Sequence, residues 1–124
     1  MENLRPCNLV DPQVYFPGST GGEAFEIHVP VNTDTCIGYA LLQDAGPGEL
    51  GAHLYIGQEY RTPKYLRALI KYFKQAMHKQ LVSRNKTVMV TMCQYEDTAT
   101  RSLFRAMQLE TTDICVGKLI LKET

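Results

Sequence analysis

From residue 25 onward, apolar and polar positions alternate with the period of a strand: Phe25, Ile27 and Val29 interleave with Glu26, His28 and Pro30. A polar turn, Asn32-Thr33-Asp34-Thr35, leads to a second run from Cys36 to Leu42, and the two together read as a hairpin. Asp44-Ala45-Gly46-Pro47-Gly48 marks another turn, and Leu50 to Ile56 a third strand, so an antiparallel meander is predicted. Beyond Arg61 the period changes. Leu66, Leu69, Ile70, Phe73, Ala76 and Met77 fall on one stripe of a helix, with Pro63 in a first turn where a missing N–H costs nothing. Thr87 to Cys93 is apolar on both faces, as a central strand is. Asp97 suits the N-cap of a short helix to about Met107, burying Leu103, Phe104 and Met107, and Ile114 to Leu121 reads as a closing strand. Residues 1–22, rich in Pro, Gly and polar groups, read as an irregular arm. The expectation is one α+β domain over residues 1–124, a β-meander followed by α-β-α-β around a mixed central sheet.

Composition narrows the class without naming it. The 44% hydrophobic and 21% charged residues of this 124-residue chain exclude disorder, and the 9 Gly and 6 Pro exclude collagen-like or low-complexity chains. No run approaches the ~20 apolar residues of a membrane span. The N-terminus has no basic segment followed by an apolar run, which points to the cytoplasm and away from secretion. The four cysteines form no C-x-x-C pair and no two His sit at ligand spacing, so no metal is expected; a zinc site would have to be assembled from distant segments. Cys36, Cys93 and Cys115 lie in apolar runs and read as reduced, buried thiols.

The formal net charge of zero conceals a division. Residues 1–60 hold one base and eight acids, whereas residues 61–95 hold eight bases and no acid. Lys64, Arg67, Lys71, Lys74 and His78 step along the polar face of the helix. This stripe reads as a solvated surface or as a nucleic-acid contact, and the shortage of Arg clustering and interleaved rings ranks nucleic acid last. Complementarity between the acidic half and the basic segment is compatible with pairing inside the chain, with self-association or with a protein partner.

The segment from Leu50 to Leu109 resembles the GNAT superfamily of N-acyltransferases. Tyr55-Ile56-Gly57-Gln58-Glu59-Tyr60-Arg61 looks like that family's strand end and phosphate-binding loop, and Arg67-Ala68-Leu69 falls where its helix often reads the same. Asp97-Thr98-Ala99-Thr100-Arg101-Ser102-Leu103-Phe104 is similar to its second motif, Asn-x-x-Ala-x-x-Leu-Tyr. The resemblance implies acetyl-CoA as acyl donor and an amine as acceptor. By it, the Ile56 backbone N–H stabilises the oxyanion, and Ile56, Arg61, Thr62, Lys64, Tyr65 and Arg67 surround the cofactor, its pyrophosphate lying at the helix N-terminus. His53 is the candidate base, with a structural histidine on the sheet as the other reading, and Glu49 reads as the solvated end of a turn.

The chain departs from the family at Lys64 and Leu66, which occupy glycine positions of the loop, and at Pro63, which has no N–H to offer. Phe104 replaces the tyrosine acid, Gln108 a glycine and Asp97 an asparagine. Small, trimmed members of the family occur among phage-encoded proteins, virion components included. A GNAT-like binding or assembly module that has lost transfer is therefore the alternative to an enzyme.

Overall fold

The computed structural model describes residues 3–19, 21–31, 34–92, 102–103, 105–107, 109–113 and 116–120. Its strands are β1 (Leu4–Cys7), β2 (Glu23–Pro30), β3 (Asp34–Asp44), β4 (Glu49–Ile56), β5 (Val88–Met92), β6 (Glu110–Asp113) and β7 (Val116–Ile120). They form one seven-stranded sheet in the order β1-β2-β3-β4-β5-β7-β6. Only β4 and β5 are parallel; the other neighbours are antiparallel. The α+β class, the meander and the mixed sheet are those the sequence predicts.

Two regions of the chain correct that reading. The N-terminal arm is not irregular throughout: Leu4–Cys7 pairs with β2, and Pro12–Tyr15 forms a short helix, α1. Asp11 caps α1 by accepting the Gln13 N–H, and Pro12 fills the first helical position. The apolar period could not expose β1, which is four residues long and holds a proline, a combination tolerated on a sheet edge. The second addition is β6, a polar Glu-Thr-Thr-Asp segment that pairs with β7.

The long helix α2 (Pro63–Ser83) connects β4 to β5. Its stripe buries Leu69, Phe73, Ala76, Met77 and Leu81 against Phe25, Ile27, Ala40, Leu42, Leu50 and Ala52 of the sheet. The helix ends because Asn85 takes a left-handed conformation (φ 55°). The Asn85 N–H then bonds to Val82 and the Lys86 N–H to Leu81, satisfying carbonyls of the last turn. Residues 102–103 and 105–106 are helical, and Met107 is buried in the same core. The expectations for Cys93, Asp97, Phe104, Gln108 and Cys115 fall outside the described residues.

The charge division is partly resolved within the chain. Arg84 meets Glu23 at 3.1 Å and Lys86 meets Asp44 at 3.0 Å, each joining the basic segment to the acidic half. Among the described residues, no carboxylate pairs with Lys64, Arg67, Lys71, Lys74 or Lys79. No described helix is long and apolar enough to cross a membrane.

Candidate functional site

The parallel ladder between β4 and β5 is short. It runs from Glu49–Val88 through Leu50–Met89 to Gly51–Val90 and stops, although β4 continues to Ile56 and β5 to Met92. The two strands therefore part beside the N-terminus of α2. On its other edge β4 stays paired with β3 as far as Ile56–Gly38.

That register fixes which way the end of β4 points. Antiparallel hydrogen bonds alternate along a strand, and the Gly57 N–H donates to the Ile37 carbonyl at 2.8 Å. Stepping back by two places Tyr55 and His53 in bonded pairs with Tyr39 and Leu41. The backbone N–H groups of Leu54 and Ile56 consequently point away from β3, toward the gap. The Ile56 carbonyl accepts the Arg61 Nε–H at 2.8 Å, and the Arg61 guanidinium also lies 5.8 Å from the centre of the Tyr55 ring. Arg61 thus braces the strand end, leaving its terminal nitrogens for any further contact.

Gln58–Tyr60 forms a single 3₁₀ turn, and α2 begins at Pro63 with Thr62 as its N-cap. The first helical bond is the Leu66 N–H to the Thr62 carbonyl at 2.9 Å, and the Thr62 side chain makes no cap bond. The N–H groups of Lys64 and Tyr65 precede that bond and have no carbonyl within the helix to receive them. Leu66 and Tyr65 pack against the core, Tyr65 edge-on to Tyr60 at 5.1 Å between ring centres. Lys64 and Arg67 are exposed. The structure therefore gathers Ile56, Arg61, Thr62, Lys64, Tyr65 and Arg67 around the end of β4 and the start of α2.

His53 stands apart from this group. It lies on the face of β4 turned away from α2, where its Nε2 sits 3.0 Å from the Gln43 Oε1 and its ring 6.4 Å from that of Phe16. Burial pushes its pKa down, favouring the neutral imidazole. Phe16 follows α1, which covers this outer face; Tyr15 also packs on Tyr39 and Tyr55 at 4.7 and 4.8 Å.

Next to these tyrosines lies an open cleft of about 910 Å³, lined by Tyr15, Tyr39, Tyr55, Glu59, Glu26 and Cys36 among others. Cys36, expected as a buried thiol, is half-exposed on this cleft, and the sequence does not mark it, Glu26 or the neighbouring His28 as site residues. The signal available was slight: a Glu-x-His pair on one face of a strand, with a cysteine across the hairpin.

No family model and no curated protein matches the sequence. The fold does match solved structures. A GNAT-family acetyltransferase from Bacillus anthracis superposes with a TM-score of 0.61 at 7% identity, over 78% of this chain and 65% of that one. The Salmonella typhimurium protein yncA, solved with its cofactor acetyl-CoA, gives 0.59 at 15% identity, over 84% and 67%. A cAMP-binding acyltransferase from Mycobacterium smegmatis gives 0.62 at 10% identity, over 97% of this chain but only 44% of that one. The chain has the GNAT fold, and it spans about two thirds or less of these three proteins.

Proposed function

We propose that the chain is a GNAT-like acyltransferase that takes an acetyl group from acetyl-CoA and passes it to an amine. One observation carries this reading: the β4–β5 ladder ends at Gly51–Val90 beside a helix N-terminus, with the Ile56 N–H directed into the opening. The groups present fit such a donor. A thioester arm can lie along the parted strand edge, where β4 backbone groups beyond Gly51, outside the ladder formed by the described residues, can pair with it. The N–H groups of Lys64 and Tyr65, the positive end of the helix dipole and the charges of Lys64 and Arg67 suit a pyrophosphate. Leu66, which stands at a glycine position of the family loop, turns its side chain to the core.

In this reading acetyl-CoA would supply an electrophilic thioester carbonyl and the Ile56 N–H would donate to its oxygen, while the C–S bond breaks as the C–N bond forms and the released CoA thiolate takes up the amine's proton. The acceptor enters by the tyrosine-lined cleft, whose Glu59 carboxylate favours a cationic amine. His53, half-buried beside Phe16 and hydrogen-bonded to Gln43, is the candidate base of this reading.

A module of the same fold that binds a partner without transferring acetyl is the second reading. The observation that favours it is Pro63, which withholds an N–H from the helix N-terminus. Thermal unfolding with and without acetyl-CoA separates the two. Under the first reading the midpoint rises with acetyl-CoA concentration, by about 10 °C at a hundredfold excess over Kd. The rise shrinks in Lys64→Glu and Arg67→Glu. No rise at millimolar acetyl-CoA overturns the enzyme reading and leaves the second.

A further inference from the structure

We propose that Glu26, His28 and Cys36 form a binding site for one divalent transition-metal cation of the Zn²⁺ class, with its fourth coordination position open to the cleft. The site is created by an irregularity of the β2–β3 ladder. The register slips between Ile27 and His28, so that Ile27 faces Gly38 while His28 faces Cys36, and Ile37 is the extra residue. Ile37 joins the core, 1% exposed, and Cys36 is thereby turned to the outer face. Glu26 and His28, two residues apart on one strand, share that face.

The donor atoms are already gathered. The His28 imidazole, the Glu26 carboxylate and the Cys36 thiol each bring one ligand atom, all within 4.8 Å of one another. The Glu26 Oε1 is 3.0 Å from the His28 Nε2. A tetrahedral ion with bonds of about 2.0–2.3 Å holds its ligand atoms roughly 3.3–3.8 Å apart, so small side-chain rotations complete the set. His28 cannot swing away: it is 8% exposed, and its backbone is held at both polar groups by Asn3, at 2.8 and 3.0 Å.

The imidazole sits among negative charge that a cation at Nε2 would offset: Nε2 faces Glu26, and Nδ1 lies 3.4 Å from the Asp34 Oδ1. The Nδ1 is fully buried and makes no hydrogen bond. A metal ion on Nε2 satisfies that side and leaves the single proton on Nδ1, directed at Asp34. This is the carboxylate–histidine–metal arrangement that orients a ligating imidazole. Asp34 is in turn held by Arg5. Coordination by Cys36 releases its thiol proton to solvent. A set of imidazole nitrogen, thiolate and one carboxylate oxygen favours Zn²⁺ over Mg²⁺ or Ca²⁺. Glu26 and Cys36 line the cleft, so the fourth position opens there and three protein ligands leave room for water or an exogenous donor.

The test uses the full chain stripped with a chelator, with Zn²⁺ and Co²⁺ as probes and no acetyl-CoA, so it succeeds or fails independently of the acyltransferase reading. One Zn²⁺ binds per chain, and Co²⁺ gives a thiolate charge-transfer band that Zn²⁺ abolishes. The band is lost in Cys36→Ser and retained in Cys7→Ser, whose thiol is on β1. Asp34→Asn keeps the band but weakens affinity about 10–100-fold. Circular dichroism verifies that each variant folds, and Cys36→Ala provides the same readout if the serine variant does not. Absence of the band in the native chain, its survival in Cys36→Ser, or tighter binding of Mg²⁺ than Zn²⁺ overturns the proposal.

Discussion

Replacing either of two glycines with alanine is expected to move stability in opposite directions, although both glycines lie in the same pair of strands. A Cβ at Gly38 would run into the Tyr55 carbonyl oxygen and come within 2.9 Å of the Ile56 Cα and the Tyr55 carbonyl carbon. These are backbone atoms, with no flexible side chain to yield. The end of β4 must then lift from β3, which strains the Gly57–Ile37 hydrogen bond as well. Overpacking of this kind costs about 3 kcal/mol, the upper end of its usual range. At Gly51 the nearest atom to an added Cβ is the Gln43 carbonyl oxygen at 3.4 Å, an ordinary contact. Removing chain entropy from the unfolded state there gains about 0.5 kcal/mol. With an unfolding entropy near 2.1 cal/mol/K per residue, one kcal/mol shifts the midpoint of a chain this size by about 4 °C. Gly38→Ala should therefore lower the midpoint by about 12 °C and Gly51→Ala raise it by about 2 °C, as measured by calorimetry or circular dichroism. Equal effects of the two would refute the close approach of β3 and β4 at Tyr55.

Leu69→Ala, at a side chain that is 0% exposed, should cost about 3–5 kcal/mol, whereas Leu66→Ala, half-buried one turn earlier, should cost less than half of that in urea unfolding. His53 supplies a pH dependence. Its folded pKa lies below the ordinary 6.5, so the unfolded chain binds the proton first and stability falls as pH drops through about 6.5, levelling off below the folded value. The difference in stability between the native chain and His53→Gln should therefore change between pH 7.5 and 5; a constant difference would refute the burial of this imidazole.

The parts of the fold written in long periodic runs were legible in the sequence. The stripe from Leu66 to Met77 became α2, and three alternating segments became β2, β3 and β4, because burial of one face leaves a repeating mark. β1 and β6 left none. Each is four residues long, one interrupted by Pro6 and the other made of Glu, Thr and Asp, and each is recruited by the edge of a sheet that already exists. At the candidate site, the family resemblance drew attention to Ile56 and the start of α2, which do lie together. It could not reveal that Arg61 turns back onto the Ile56 carbonyl, or that Phe16 packs beside His53, since both depend on contacts across the fold. The Glu26–His28–Cys36 group was hidden for a different reason. Uninterrupted alternation along Cys36 to Leu42 would put Cys36 and Gly38 on one face, and only the slip at Ile37 separates them.

The three-pair junction between β4 and β5 also bears on how the molecule comes apart. Strands β1–β4 hold one another through antiparallel ladders, broken once by the slip at Ile37, and β5, β7 and β6 are likewise antiparallel, while between the two groups the sheet is tied at Glu49–Gly51 and clamped by α2. Such a seam divides one sheet into two cooperative blocks. Partial opening along it should expose the amides of Val88 and Val90, which point toward β4, while Met89 stays bonded to β7, so exchange at these two amides should report a local opening and not global unfolding.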